Sequence, residues 1–265
     1  MRNPRAAAQY IYTQIGDRLG WTDDVVWEKF IINGLACRFD TRDEVGGQDL
    51  KNMYSANTSS SERDQLADLL SRLHRDDVFY DIGAHLGFYS VFAAKYLTEG
   101  NAYLFEPYPP NVEQLKRNLE LNDLSANVYE VALSDENGMM TVRVPSHEYT
   151  GMQMLSLSDN GEEVINTFRG DEIIEREDLS PPNAVKIDVE GAEPLVVDGL
   201  ENTLAREDCR LLSVEVHLPS ENSISSIRDH GWTIQEFESR IQELGFDIVK
   251  TNRRDTEVHL LAEKR

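Results

Sequence analysis

Apolar and polar positions along the first third of this chain follow no single period. Residues 6–16 and 22–32 mix the two in a way compatible with helices, whereas Gly34-Leu35-Ala36-Cys37-Arg38-Phe39 reads as a short strand after a turn. Over 62–73, Leu66, Leu69, Leu70 and Leu73 recur on one face, the spacing of an amphipathic helix. Residues 1–75 are therefore expected to be a partly helical N-terminal extension, placed where it can cover a cofactor or substrate site.

From residue 77 the pattern becomes regular. Val78-Phe79-Tyr80 predicts a buried strand, followed by a glycine-rich turn and a helix over 87–97. Ala102-Tyr103-Leu104-Phe105 predicts a second strand, and 110–121 a helix with Val112, Leu115 and Leu119 on one face. Val128 to Leu133 is the third strand, 184–189 the fourth with a helix near 194–205, and 211–216 the fifth with a helix near 223–230. A helix over 233–244 stops at Gly245, and segments 246–250 and 257–262 suit an antiparallel pair at the sheet edge. Apolar strands alternating with helices give an α/β domain over 76–265, a mostly parallel sheet with helices on both faces and a C-terminal antiparallel strand. The 140–182 connection is long for a crossover and must hold structure of its own or build a pocket.

Composition narrows the classes. A chain of 265 residues buries one sizeable core. No run approaches eighteen apolar residues, so a membrane span is not expected. Met1 to Ala8 holds two arginines with no long apolar stretch behind them, so no secretory signal is read there and the cytoplasm is the expected location. Asn57-Thr58-Ser59 then matches a glycosylation acceptor by chance. Cys37 and Cys209 are too few for a disulfide framework or a metal-binding cluster. The net charge of -22 leaves no basic stripe to release counterions, which argues against nucleic acid as a partner. Seven lysines stand against nineteen arginines, with acids spread along the whole chain. That balance suits a surface adapted to high salt, where screening relieves self-repulsion, and equally an ordinary acidic cytoplasmic protein.

The candidate chemistry begins at the end of the first parallel strand, Asp81-Ile82-Gly83-Ala84-His85-Leu86-Gly87. Gly83 permits a tight turn and Gly87 a close approach of the next helix. The spacing is not GxGxxG, and Asp81 would repel a dinucleotide pyrophosphate while attracting the ammonium of a methionine moiety. S-adenosylmethionine is thus the expected cofactor, with NAD, and so an oxidoreductase, as the competing reading. Glu106, directly after the second strand, can accept both ribose hydroxyls. Ala132 or Asp135 stands where the adenine is expected, and His85 inside the turn can touch cofactor or substrate. Asp81, His85 and Asp135 could instead serve as turn or helix caps, and Glu106 as a solvated turn acid.

The reaction end is read from Lys186-Ile187-Asp188-Val189-Glu190-Gly191-Ala192-Glu193 and Glu215-Val216-His217. Period-two alternation puts Lys186, Asp188 and Glu190 on one side, and the two strand ends should neighbour each other. His217 is the candidate general base, since its reference pKa lies near neutrality, with Lys186, Asp188 and Glu190 orienting hydroxyls or sharing the proton. Asp188, Glu215 and His217 could also hold a divalent ion, but no metal is assigned, because scattered acids arise readily in so acidic a chain. Arg143, His147, Tyr149, Gln153, Arg169 and Glu215 are candidates for the acceptor, the arginines suiting an anionic sugar such as a uronic acid.

These residues resemble the FkbM-type methyltransferase family over roughly 62–218. The resemblance rests on Asp81 to Ser90, Phe105-Glu106-Pro107, Val131-Ala132-Leu133-Ser134-Asp135 and, most specifically, Lys186 to Glu193. It implies a class I methyltransferase (Rossmann-like) fold, S-adenosylmethionine as donor, and O-methylation of sugars or natural-product hydroxyls. Asp81 and Gly83 would hold the methionine end, Glu106 the ribose, and 186–193 the reaction side. His85 departs from the family's usual Asn. The acidic, lysine-poor version is similar to haloarchaeal members, some of which methylate hexuronic acids of glycans. A small-molecule or glycan acceptor is the expected partner, and a noncatalytic nucleotide-binding or regulatory module on the same fold remains the other reading.

Overall fold

Residues 27–42, 61–143, 156–157, 163–219 and 225–264 are described by the computed structural model. Strand β1 (Trp27–Ile32) and strand β2 (Leu35–Asp40) form an antiparallel hairpin in register Ile32↔Leu35. Helicity expected up to residue 32 is therefore wrong over Trp27–Ile32. Asn33 and Gly34 both take left-handed φ, 48° and 80°, which is the two-residue turn that matches strand twist, and the flanking apolar residues follow as strands. Residues 6–16 lie outside the described residues.

Helix α1 (Ser61–Arg72) precedes the sheet. The sheet is then laid down by β3 (Val78–Ile82), α2 (Phe88–Tyr96), β4 (Asn101–Phe105), α3 (Pro109–Glu120) and β5 (Asn127–Tyr129). Later come β10 (Ala184–Ile187), α5 (Glu193–Gly199), α6 (Glu201–Ala205), β11 (Leu211–His217), α7 (Ile234–Glu243), β12 (Asp247–Arg253) and β13 (Glu257–Glu263). The seven strands run in the order β12-β13-β11-β10-β3-β4-β5, parallel from β11 to β5 and antiparallel at β13 and β12. The expected α/β class and C-terminal antiparallel pair are both present.

Three elements depart from the pattern reading. The third strand is not continuous, because β5 ends at Tyr129 and the chain leaves the main sheet. Ala132–Ser134 (β6) then pairs with β9 (Glu163–Arg169) in a second, four-stranded sheet with β7 (Gly138–Arg143) and β8 (Ser156–Leu157). That sheet and helix α4 (Gly170–Arg176) are the structure inside the long connection. The helix expected over 194–205 is two helices, because the Asp171 carboxylate accepts the N–H groups of Asn202 and Thr203 at 3.0 and 2.9 Å and caps a fresh N-terminus there. Of the 223–230 helix, the described part is a single 3-10 turn, Ile227–His230.

Strand alternation sets two cores. Phe79, Ala184, Leu211 and Leu261 point to one face, packed with Leu66, Leu69 and Leu70 of α1 and with an aromatic cluster of Phe30, Phe39, Phe88 and Phe92. Tyr80, Val185, Leu212 and Leu260 point to the other, against Val196, Phe237 and Ile241. The chain builds outward from β3 to β5 and then returns to place β10 on the other side of β3. This reversal is where open α/β sheets leave a crevice beyond the strand ends.

Candidate active site

Asp81, on β3, is fully buried and holds Ser90 Oγ at 2.5 Å on Oδ2. Lys186, its register neighbour on β10, brings Nζ to 3.3 Å from Asp81 Oδ1 and 3.3 Å from Asp188 Oδ2, and donates to the Gly83 carbonyl at 2.9 Å. Its ammonium also lies 5.2 Å from the centre of the Tyr89 ring. One buried cation thus ties two carboxylates and the glycine turn together. Burial raises the Asp81 pKa even though Lys186 and Ser90 oppose it. Lys186 itself is raised, its two carboxylate partners outweighing burial.

The turn above Asp81 is fixed by contact. Gly83 has φ +75°, and a Cβ there would lie 1.8 Å from the Asp188 carbonyl oxygen, so only glycine lets the turn rest on the end of β10. At Gly87, φ is +86° and a Cβ would meet Leu115 of α3 at 2.3 Å. His85 also takes a left-handed φ of 50°, and its N–H donates to Glu106 Oε2 at 2.9 Å. Its ring Nε2 is buried with no hydrogen-bond partner, and burial lowers its pKa to about 4. Glu106 further accepts Tyr108 N–H and Asn111 Nδ2, each at 3.1 Å, so its carboxylate is anchored by three donors from two turns.

Strand β10 ends at Ile187, so simple alternation does not carry Glu190 to the side of Lys186. Glu190 takes a left-handed φ of 55°, and its carboxylate meets His217. His217 Nε2 lies 3.2 Å from Glu190 Oε2, and Nδ1 lies 2.8 Å from Oε1 of the fully buried Glu193. Burial disfavours the imidazolium, yet the Glu193 hydrogen bond and the charges of Glu190, Glu193 and Asp188 push the His217 pKa up to about 11. Burial pushes Glu190 up to about 7 against the pull of His217. Glu215 rises well above the ordinary range through burial and the neighbouring Asp188, Glu62 and Glu257. A general base must be unprotonated, so of this pair Glu190 is the group poised near neutrality.

The remaining expected residues scatter. Ala132 and Asp135 belong to the second sheet and its edge, and Asp135 Oδ1 accepts the Ser134 hydroxyl at 3.1 Å. Arg169 donates to the carbonyls of Asp135 and Asp198 at 3.0 and 3.3 Å, clamping the second sheet onto α5. Arg143 ends β7, while His147, Tyr149 and Gln153 lie outside the described residues. Sequence reasoning missed Glu193 as the partner of His217, and Ser90 as the partner of Asp81. It also missed Glu257, which the antiparallel β11–β13 register sets opposite His217. Glu62 and Arg254 complete this wall, Arg254 Nη2 lying 2.6 Å from Glu62 Oε1 while its Nη1 pairs with Glu257.

Comparison with known proteins places the chain in a family. The family model of the methyltransferase FkbM domain matches residues 81–248. The hexuronic acid methyltransferase AglP of Haloferax volcanii is 27% identical over 186 residues, covering 70% of this chain and 72% of that protein. The 31-O-demethyl-FK506 methyltransferase FkbM of Streptomyces tacrolimicus is 25% identical over 195 residues, covering 61% and 75%. Among solved structures, precorrin-6y C5,15-methyltransferase from Geobacter metallireducens aligns with a TM-score of 0.48 and 14% identity, over 80% of this chain and 92% of that one.

Proposed function

The chain belongs to the FkbM methyltransferase family and uses S-adenosylmethionine, and from that premise we propose that it methylates an oxygen of a sugar, with a glycan-borne hexuronic acid as acceptor. When bound, the cofactor supplies an electrophilic methyl group on its sulfonium. Residues at the crevice suit its polar ends. The unpartnered His85 Nε2 and the spare acceptor capacity of Glu106 offer hydrogen bonds there. In this reading Glu106 takes the ribose and Gly83 and Gly87 line the backbone approach. Asp81 acts through its pairing with Lys186, and Ala132 and Asp135 lie toward the adenine.

The observation that carries the reaction assignment is the convergence of Asp188, Glu190, Glu193 and His217 beside the glycine turn. Glu190 Oε2 lies 3.2 Å from His217 Nε2, and in this reading it is the atom that receives the proton of an acceptor hydroxyl. Glu193 keeps the imidazole oriented. In this reading Glu215 faces the acceptor, while Arg169 contributes by holding the second sheet in place. The hexuronic acid class is supported by the similarity to a haloarchaeal enzyme named for that acceptor. The lysine-poor, acidic composition supports work in a high-salt cytoplasm.

The test is transfer of labelled methyl from S-adenosylmethionine to fractionated hexuronate-containing glycans at high salt, read by mass spectrometry. The reading expects a methylated hexuronate, with alkali lability separating an ester from an ether. Cofactor binding with no transfer to any fraction would sink it and favour the noncatalytic module. Tight NAD binding in place of S-adenosylmethionine would overturn the premise.

A further inference from the structure

We propose that His217 is the hub of a divalent-cation site, with oxygen donors from Glu215 and Glu257 on one side and Asp188 and Glu190 on the other. Two sets of potential ligands share this imidazole. Donor atoms of Asp188, Glu190 and His217 lie within 4.8 Å of one another, as do those of Glu215, His217 and Glu257. Metal–ligand bonds of about 2.0–2.2 Å set cis donors roughly 3 Å apart and trans donors roughly 4.3 Å apart, so small side-chain adjustments suffice. The 3.2 Å separation of His217 Nε2 and Glu190 Oε2 is already that of two cis donors.

Orientation is the second argument. A metal-ligating histidine characteristically gives its other ring N–H to a carboxylate, which fixes the tautomer and aims the free nitrogen. Glu193, fully buried, takes Nδ1 at 2.8 Å and leaves Nε2 toward the carboxylates. The same carboxyl keeps Oε2 buried without a hydrogen-bond partner, an unspent negative site behind the imidazole.

Charge is the third. Lys186 is shared between Asp81 and Asp188, and Arg254 between Glu62 and Glu257. Glu215 makes no ion pair among the described residues, and its carboxyl is within hydrogen-bonding reach of that of Glu257. Two facing carboxylates stay together only with a proton or a cation between them. A divalent ion in place of the Nε2 proton adds one positive charge beside Glu190, Glu193 and the facing carboxyls of Glu215 and Glu257. Mixed carboxylate and imidazole donors suit Mn2+ or Mg2+, with Zn2+ as the competitor. Resting on the acceptor reading above, this ion supplies the counter-charge that admits an anionic sugar, chelated through its carboxylate and a neighbouring hydroxyl, into an acidic pocket; with the ion bound, Glu190 is its ligand and the chelated hydroxyl, acidified by the ion, gives its proton to solvent.

The probe is Mn2+, titrated into the chelator-treated full chain in high-salt buffer and followed by water-proton relaxation. One saturable Mn2+ per chain is expected, weakened at least tenfold by Glu215→Gln and unchanged by Glu28→Gln, a substitution on the exposed face of β1. Retained S-adenosylhomocysteine affinity shows that Glu215→Gln is folded. Absence of saturable Mn2+ binding, or equal weakening by both variants, overturns the site. Hexuronate methylation that survives chelation in a chain without Mn2+ binding also overturns it, leaving the acceptor assignment standing. Mn2+ binding without methylation of any hexuronate supports the site and sinks the acceptor instead.

Discussion

Replacing Lys186 by methionine is the sharpest test of how the cofactor turn is held. The substitution keeps much of the side-chain volume and removes the only cation within 4 Å of Asp81 among the described residues. Asp81 is fully buried and Lys186 is 6% exposed, so water cannot take over the lost charge. Breaking such a buried pair by removing one partner costs about 3–5 kcal/mol, because a carboxylate is left uncompensated. In a chain of this size that corresponds to a fall in Tm of roughly 6–20 °C. Adding Asp81→Asn removes the stranded charge, so the double variant should recover part of the loss, with a coupling of about 1–3 kcal/mol. Urea unfolding of the wild type, both single variants and the double variant, at one fixed high salt concentration, measures all four corners. Salt separates this pair from surface ones. The exposed Arg117–Glu113 pair is worth only about 0.3–0.5 kcal/mol and is screened, whereas the buried coupling should persist at high salt. A loss below about 1 kcal/mol for Lys186→Met, or strictly additive single effects, would refute the idea that this cation holds the turn together.

Gly83→Ala should weaken S-adenosylhomocysteine binding at least tenfold by calorimetry, because the new Cβ meets the Asp188 carbonyl and Ala at positive φ costs about 1–2 kcal/mol. Unchanged affinity would mean that the turn does not touch the cofactor. His85 has a folded pKa of about 4 against an unfolded value near 6.5, so its contribution to stability is complete above about pH 6.5 and is lost as pH falls toward 4. The stability difference between wild type and His85→Asn should therefore shift by at most roughly 3 kcal/mol across that window, and a flat difference would contradict a buried neutral ring. Burial pushes the thiols of Cys37 and Cys209 up to about 12. Neither should react with a thiol reagent in the native state, and both should react in urea; rapid native labelling would show that these cores open readily. Glu193→Gln should lower activity while leaving cofactor affinity intact, since it frees the imidazole of His217 without touching the glycine turn; equal losses in both would place Glu193 in folding alone.

Much of this was legible because the parallel strands are short apolar runs with period two, and because Asp81-Ile82-Gly83 and Lys186 to Glu193 sit at their ends. Side-chain pairing across strands was legible only where register could be guessed. Neighbourhood of the β10 and β11 ends followed from their order, whereas pairing of His217 with Glu257 required knowing that β13 runs antiparallel in that register. Glu190 meets His217 from a left-handed residue where the strand has already ended, a placement alternation does not contain. Arg169 looked available for an anionic acceptor, and the structure shows two of its five N–H donors engaged by backbone carbonyls, a contact set by tertiary packing between β9 and α5. The Asn33-Gly34 turn was a local signal, and it was outweighed by a weak helical pattern over 22–32.

The site is made by one face of the sheet changing character along its strands. Phe79, Ala184 and Leu211 form an apolar row on that face and lie in the core together with Leu261, which stands opposite Ser213. Two residues further along each parallel strand, the same face carries Asp81, Lys186 and Ser213 in register. One row beyond, Glu215 stands opposite His259, and then His217 opposite Glu257. At the junction Ser213 Oγ and His259 Nε2 meet at 2.8 Å, and burial lowers the His259 pKa to about 4, so the imidazole is neutral there. On β11 and β13 a neutral hydrogen-bonded pair thus stands between the hydrocarbon row and Glu215 and Glu257, whereas on β3 and β10 the Asp81–Lys186 ion pair meets that row directly. Charge meets the Phe79 row only as a pair, Asp81 with Lys186, since a buried unpaired charge is too costly to persist. The period-two pattern is unbroken across the boundary. What changes is that polar groups beyond it find partners on neighbouring strands, helices or turns, as Asp81 does in Lys186 and His217 in Glu193 and Glu190, and that pairing lets so acidic a crevice exist at the end of an apolar sheet.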